Sequence, residues 1–210
     1  MNKSEALQII GGLSNPAKLP CSSYSLPATA CKVGSRLFDV AGSTCEGCYA
    51  RKGCYRFPVV QTALERRLEA ITHKYWVPAM VAAIGRQSHF RWHDSGDLQG
   101  IDHLTDIARV CKDTPNTAHW LPTRETKLVR QYMRCNAPPP NLGIRISAAM
   151  VDGKPPAVAS DWTRTVNTST VHRDQPAQGF ACTSPLTNSV CGDCRACWDP
   201  EISNISYQFH

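Results

Sequence analysis

Eleven cysteines in 210 residues constrain this chain more than any other feature, because so many thiols need either one another or a metal. Near the end stand Cys191, Cys194 and Cys197 in a C-x2-C-x2-C run, with Cys182 nine residues upstream. Cysteines at successive three-residue steps wrap their sulfurs around a compact centre, as in ferredoxin-type runs. Structural zinc more often uses two C-x2-C pairs set far apart, so that four sulfurs reach tetrahedral corners. The run points to a four-iron cluster on Cys182, Cys191, Cys194 and Cys197, with zinc as the alternative.

A second group opens the chain: Cys21, Cys31, Cys45, Cys48 and Cys54. Three of these on a second cluster would leave one iron open, and an open position permits chemistry where a closed one does not, as for zinc. A lone C-x2-C such as Cys45–Cys48 also serves as a redox dithiol, but that motif follows a strand and opens a helix. The glycines around it do not support this. Cys111 reads as a small core residue on a helix face, and Cys135 as an unligated helix end.

The first ten residues carry an acidic side chain and no long apolar run, which predicts no signal peptide and a cytoplasmic location. Structural disulfides are rare in that reducing compartment. No stretch of about 20 apolar residues occurs, so no membrane is expected as a partner. Hydrophobic residues make up 42% and charged residues 19%, which excludes a disordered chain. The formal charge of +6 counts every thiol as neutral, and the basic residues are scattered. Charge alone therefore does not point to nucleic acid.

Apolar periodicity predicts helices over 58–72, 77–84 and 101–111, and a fourth capped by Thr123 and running to Arg134. Strands are expected over 88–93, 118–121, 141–147 and 165–171, with a short one over 179–182. Such alternation means right-handed βαβ units and a largely parallel sheet. A complete eight-fold barrel takes about 250 residues, so the expected fold is α/β, a partial (β/α) barrel in one domain over 1–210. Residues 1–57 form a cysteine-rich start, 58–180 the β/α core, and 181–210 the second cysteine segment. The stretches 11–53 and 151–164 read as irregular loops, the first held by its cysteines.

Polar residues gather just after the strands, at the carboxyl edge where such folds place their sites. These are His93 and Asp94-Ser95-Gly96-Asp97, then Arg124-Glu125, Ser147 and His172. Asp94 and Asp97 suit a site with a cationic group nearby, or they cap the next helix. Arg124 suits a two-pronged grip on a carboxylate or phosphate; with Glu125 it could instead face solvent in a first helical turn. His172 reads better as a structural histidine than as a base.

Taken together, Ser25-Leu26-Pro27-Ala28, Cys31, Cys45 and Cys48-Tyr49-Ala50-Arg51-Lys52-Gly53 resemble the opening of the phage gene-product-88 family, described as radical-SAM-like. The resemblance continues through Arg91-Trp92-His93-Asp94-Ser95-Gly96-Asp97, Trp120-Leu121-Pro122-Thr123-Arg124-Glu125 and the Cys182, Cys191, Cys194, Cys197-Trp198 ending. It implies a phage-encoded iron–sulfur protein in the host cytoplasm, with one or two 4Fe-4S clusters. It further implies Cys31, Cys45 and Cys48 as ligands of a cluster whose open iron binds S-adenosylmethionine, with an electron donor as partner. Ser95, Gly96 and Ser147 would then touch the cofactor, and Asp94, Asp97, Arg124 and Glu125 would be catalytic. The substrate would be a small molecule, a nucleotide or a nucleic acid. The C-x3-C-x2-C spacing typical of radical SAM enzymes is absent. The alternative is a non-catalytic iron–sulfur or zinc protein whose metal stabilises a surface that binds nucleic acid or a host protein.

Overall fold

The computed structural model describes residues 1–162 and 165–209, so the last two positions of the 151–164 loop lie outside the described residues. Seven strands form one sheet: β1 (Ser23–Tyr24), β2 (His89–Trp92), β3 (Ala118–Thr123), β4 (Leu142–Val151), β5 (Val166–His172), β6 (Phe180–Ala181) and β7 (Asn204–Gln208). Their order is β1-β2-β3-β4-β5-β7-β6, and each neighbouring pair runs parallel. The first four strands each lie beside their successor. That is single winding, unlike a doubly wound sheet, whose order reverses at a switch point.

Six helices flank the sheet: α1 (Lys3–Ile9), α2 (Lys32–Leu37), α3 (Pro58–Ala70), α4 (Trp76–Ile84), α5 (Ile101–Asp113) and α6 (Thr126–Met133). Helix α1 starts at a capping box, where the Asn2 side chain and Glu5 satisfy each other's backbone N–H groups. Helix α3 opens with Pro58, whose missing N–H is no loss in the first turn. Among the described residues no helix is long and apolar enough to cross a membrane.

Because side chains alternate along a strand, register divides the sheet into two unlike faces. Tyr24, Phe90, Trp92, Leu121, Ile144 and Ile146 are buried in one apolar core with Ala6, Ile10, Trp76, Met80, Leu104 and Ile107 of the helices. The alternate positions carry Arg91, Trp120, Arg145, Ser147, Ser169 and Tyr207. This second face is lined by polar and aromatic groups, and the cysteine-bearing segments lie over it.

Several elements differ from the sequence reading. Thr123 does not cap α6: it ends β3, and the N-cap is Glu125, without a side-chain cap bond. Helix α3 buries Leu64 and Arg67, while Val59 is 74% exposed, so its apolar residues do not form one inward stripe. The expected loop over 11–53 contains β1 and α2. Strand β7 escaped the periodicity because Asn204 and Ser206 take the helix-side positions. There Asn204 accepts from Thr168 Oγ1 at 2.8 Å and donates to Thr170 Oγ1 at 3.0 Å. A polar ladder joins β5 to β7 where apolar side chains would have signalled a strand.

Three buried imidazoles set the acid behaviour of this core. Burial lowers His103 to about 4 and His119 to about 3, and holds His93 well below its ordinary value. An unfolded chain protonates these rings near pH 6.5 while the folded one does not, so the unfolded state binds more protons in that window. Stability should therefore fall as pH drops from about 6.5 towards about 4. The melting temperature at pH 5 is expected to lie ~5 °C or more below that at pH 7.5. A flat profile would remove the buried neutral histidines from the account.

Candidate metal centres

The first centre is assembled over the carboxyl ends of β2, β3 and β4. Cys31 is the N-cap residue of α2 and offers no side-chain cap bond to the helix. Glu125, after β3, supplies that function: its Oε1 accepts from Val33 N–H at 2.8 Å. Cys45 and Cys48 lie in the following turns, where Ser43 Oγ accepts from Cys45 N–H at 3.2 Å and from Glu46 N–H at 2.9 Å. This loop is pinned to β4, with Thr44 N–H donating to Ala149 O and Val151 N–H to Gly42 O, each at 2.9 Å. Gly34 lets the sulfurs approach. A Cβ there would stand 3.0 Å from Cys31 Cβ, 3.5 Å from Cys45 Sγ and 3.7 Å from Cys31 Sγ.

Burial pushes the Cys31 thiol up to about 12, and Asp97, Cys48 and Cys45 add to the shift while Arg51 opposes it. Cys45 is also raised, mainly by burial; Arg124 opposes this through its charge and through a hydrogen bond to the thiol. Nucleophilic and redox cysteines need the opposite, a depressed pKa. Thiols held protonated beside a carboxylate become good ligands only when a cation takes their protons' place.

Asp94, Ser95, Gly96 and Asp97 follow β2 as expected, but they act as a frame. Asp94 Oδ1 accepts from the Ser23 and Ser25 hydroxyls, and Oδ2 from Tyr55 OH at 3.0 Å. Its carbonyl accepts from Tyr49 OH, next to Cys48. Ser95 exchanges two hydrogen bonds with Leu26, donating from Oγ to its carbonyl at 2.6 Å and accepting its N–H at 2.9 Å. Asp97 accepts from Thr123 Oγ1 at 2.6 Å, Leu98 N–H at 2.7 Å and Arg124 N–H at 2.8 Å. Burial still lifts its carboxyl to about 6 against those three bonds. The folded state thus holds an extra proton between 3.8 and about 6, opposite in sign to the histidines. Neither aspartate caps α5, whose N-cap is Gly100.

Arg124 is half-buried and reaches from β3 to the Ala148 carbonyl as well as to Cys45. Glu125 is buried rather than in solvent. Ser147 lies apart from this frame on the polar face of β4, accepting from Ser169 Oγ at 3.1 Å. His93 packs inward beside Trp92 and His103, and His172 Nδ1 meets Ser206 Oγ at 2.8 Å.

The second centre gathers Cys182, Cys191, Cys194 and Cys197. Cys182 and Cys194 both raise Cys191, after burial, and Cys182 contributes to raising Cys197, which burial takes to about 11. Cys197 Sγ lies 3.3 Å from Tyr207 OH. Cys21 belongs here rather than with its sequence neighbours: its thiol feels Cys191, and Cys191 N–H donates to Lys18 O at 3.1 Å. The segment after the run wraps the Arg145 guanidinium, which donates to the carbonyls of Ala196, Cys197, Asp199, Ile202 and Thr168 at 2.7–3.4 Å. Nothing in the cysteine spacing announced this. The visible signal was an arginine alternating with Ile144 and Ile146 in an otherwise apolar strand.

All eleven cysteines are free thiols; Cys111 is buried in the core, and Cys54 and Cys135 are exposed. Among the described residues, no group of three or more His, Cys, Asp or Glu side chains is arranged so that it could hold a metal ion.

Comparison with curated proteins finds no match, and comparison with solved structures finds none either. The family model described as Gene product 88 matches residues 2–200. That span takes in both thiol groups and the strands between them, and the chain belongs to the Gene product 88 family.

Proposed function

We propose that this phage-family protein is an iron–sulfur enzyme of radical-SAM type on a partial (β/α) barrel. One 4Fe-4S cluster would be held by Cys31, Cys45 and Cys48, and a second by Cys182, Cys191, Cys194 and Cys197. The observation that carries the reading is the meeting of Cys31, Cys45 and Cys48 over the carboxyl ends of β2–β4, with pKa values raised at Cys31 and Cys45. When bound, a three-thiolate cluster would supply an electron for the reductive cleavage of S-adenosylmethionine. Arg124 would hold Cys45 in place, and Glu125 would hold the start of α2 and with it Cys31. Asp97 joins the β2 and β3 loops beneath them, and Asp94 locks Tyr55 and, through its carbonyl, Tyr49. These four are positioning residues in this reading, since each has side-chain polar atoms engaged within the chain. The substrate is proposed to be a nucleotide or nucleic acid, reached from the polar face of the sheet.

A second reading has specific support. Because Asp94, Asp97 and Glu125 are engaged within the chain, the clusters could serve only as staples for a binding surface. The two readings separate on anaerobically purified protein assayed for iron, zinc, sulfide and S-adenosylmethionine cleavage. About eight irons with matching sulfide, and cleavage on reduction, are expected. The C31S/C45S/C48S variant should drop to about four irons and lose all cleavage, and Gly34→Ala should lower iron at the same site. Two clusters without cofactor binding would favour the staple, and zinc without sulfide would end both iron readings.

A further inference from the structure

Two arginines stand on the polar face of the sheet, and they are treated differently. Arg145 has every N–H engaged by a backbone carbonyl. Arg91, on β2, lies 4.4 Å over the indole of Trp120, its register partner on β3. Its Nε is buried without an acceptor, and so is Trp120 Nε1. Both are donors only, and Trp120 is 5% exposed. The neighbouring Trp198 packs edge-on against Trp120 yet gives its own indole N–H to Phe90 O at 2.9 Å. On this polar face the chain thus satisfies Trp198 and Arg145 and leaves these two; the other unpartnered buried nitrogens, of Trp92, His93, His103 and His119, lie on the core side of the sheet.

Charge says what is missing. Among the described residues the ion pairs are Arg109–Asp106 and Arg173–Asp174, and Arg91 is in neither. The carboxylate acting on it, Asp94, is already held by three hydroxyls. The guanidinium is a permanent cation, and buried donors in native proteins are nearly always paired. Tyr49, Asp94, Tyr207 and Cys197 together favour its charge against burial, so what the side chain lacks is an acceptor at Nε. Arg91 also feels Cys197 and Tyr207 of the second centre and Tyr49 of the first, so it lies between the two thiol groups.

We propose that Arg91 Nε–H and Trp120 Nε1–H form an oxyanion subsite that binds the carboxylate or phosphate of the substrate. It rests on the reading of the polar face as the substrate side, and it deepens that reading by giving the substrate its charge. The pair stands ready-made: the strand register fixes both side chains, and stacking holds the guanidinium plane against the indole.

The test is calorimetric titration of the anaerobically purified protein with inorganic phosphate and, separately, succinate. The Trp120 indole N–H vibration is followed in parallel as the difference between wild type and W120F. At least one anion should bind and shift that vibration to its hydrogen-bonded position; which one does so separates phosphate from carboxylate. W120F keeps a ring under Arg91 and should weaken binding about tenfold, and Arg91→Gln about a hundredfold. No binding of either anion, or equal binding in both variants, would overturn the subsite. So would an indole bond already present before anion is added and lost on removing iron, since cluster sulfide would then be the acceptor. Cofactor cleavage is not read in this titration, so its failure and failure of the subsite are told apart.

Discussion

Replacing Arg145 by methionine is expected to release the C-terminal cysteine segment from the sheet. Methionine fills similar volume but offers no donor, so the carbonyls of Ala196, Cys197, Asp199, Ile202 and Thr168 all lose their bond to the guanidinium at once, while Ala196 O and Asp199 O keep a backbone N–H. Arg145 is 2% exposed, so water does not replace those bonds without opening the structure. Leaving buried acceptors unsatisfied costs about 1–3 kcal/mol each. Burial lowers the Arg145 pKa, which marks the cost of holding this cation away from water. Lysine should rescue little, because a point charge cannot reach five carbonyls arranged for a planar fork. Denaturant unfolding and limited proteolysis of residues 182–209 check this. A loss within about 1 kcal/mol, with that segment still protected, would show that Arg145 does not hold the second centre.

Gly96→Ala should be nearly as damaging, and at the other centre. Gly96 has φ +82°, a region L side chains rarely adopt, and an added Cβ would stand 2.6 Å from Leu26 Cβ and 2.8 Å from Leu26 O. The obstacle is backbone, so it cannot swing aside. Ser95 and Leu26 are joined there by two hydrogen bonds, and the chain runs on from Leu26 to Cys31. Backbone strain and overpacking together are expected to cost about 2–4 kcal/mol. The first centre should lose its geometry before the second, so iron bound at Cys31, Cys45 and Cys48 should fall while the C-terminal cluster persists. A protein of unchanged stability and full iron would mean that this close approach does not support the site.

Much of the wall of the fold was legible along the chain. The strands at 89–92, 118–123, 142–151 and 166–172 and the helices between them follow apolar spacing, because each buries one face in the same core. The short elements were not legible. β1 is two residues long, too short to show a period although both are buried, and α2 buries none of its residues; the β2 and β3 loops grip them. β7 hides because polar Asn204 and Ser206 take its helix-side positions.

The cysteine spacing by itself defined two groups of thiols and which three or four in each lie close in sequence. The strand pattern placed Asp94, Asp97, Arg124 and Glu125 at strand ends, but sequence has a limit here. It could not say what those carboxylates do, because a hydrogen bond between Asp97 and Thr123, or between Glu125 and Val33, joins residues far apart along the chain. Only the folded sheet decided that Cys21 crosses to the C-terminal group and that Arg91 and Trp120 face each other. Alternation, register and local spacing are properties of neighbours in sequence, and the sequence determines them. Which donors meet acceptors, and which are left buried without one, depends on contacts that exist only once distant strands lie side by side.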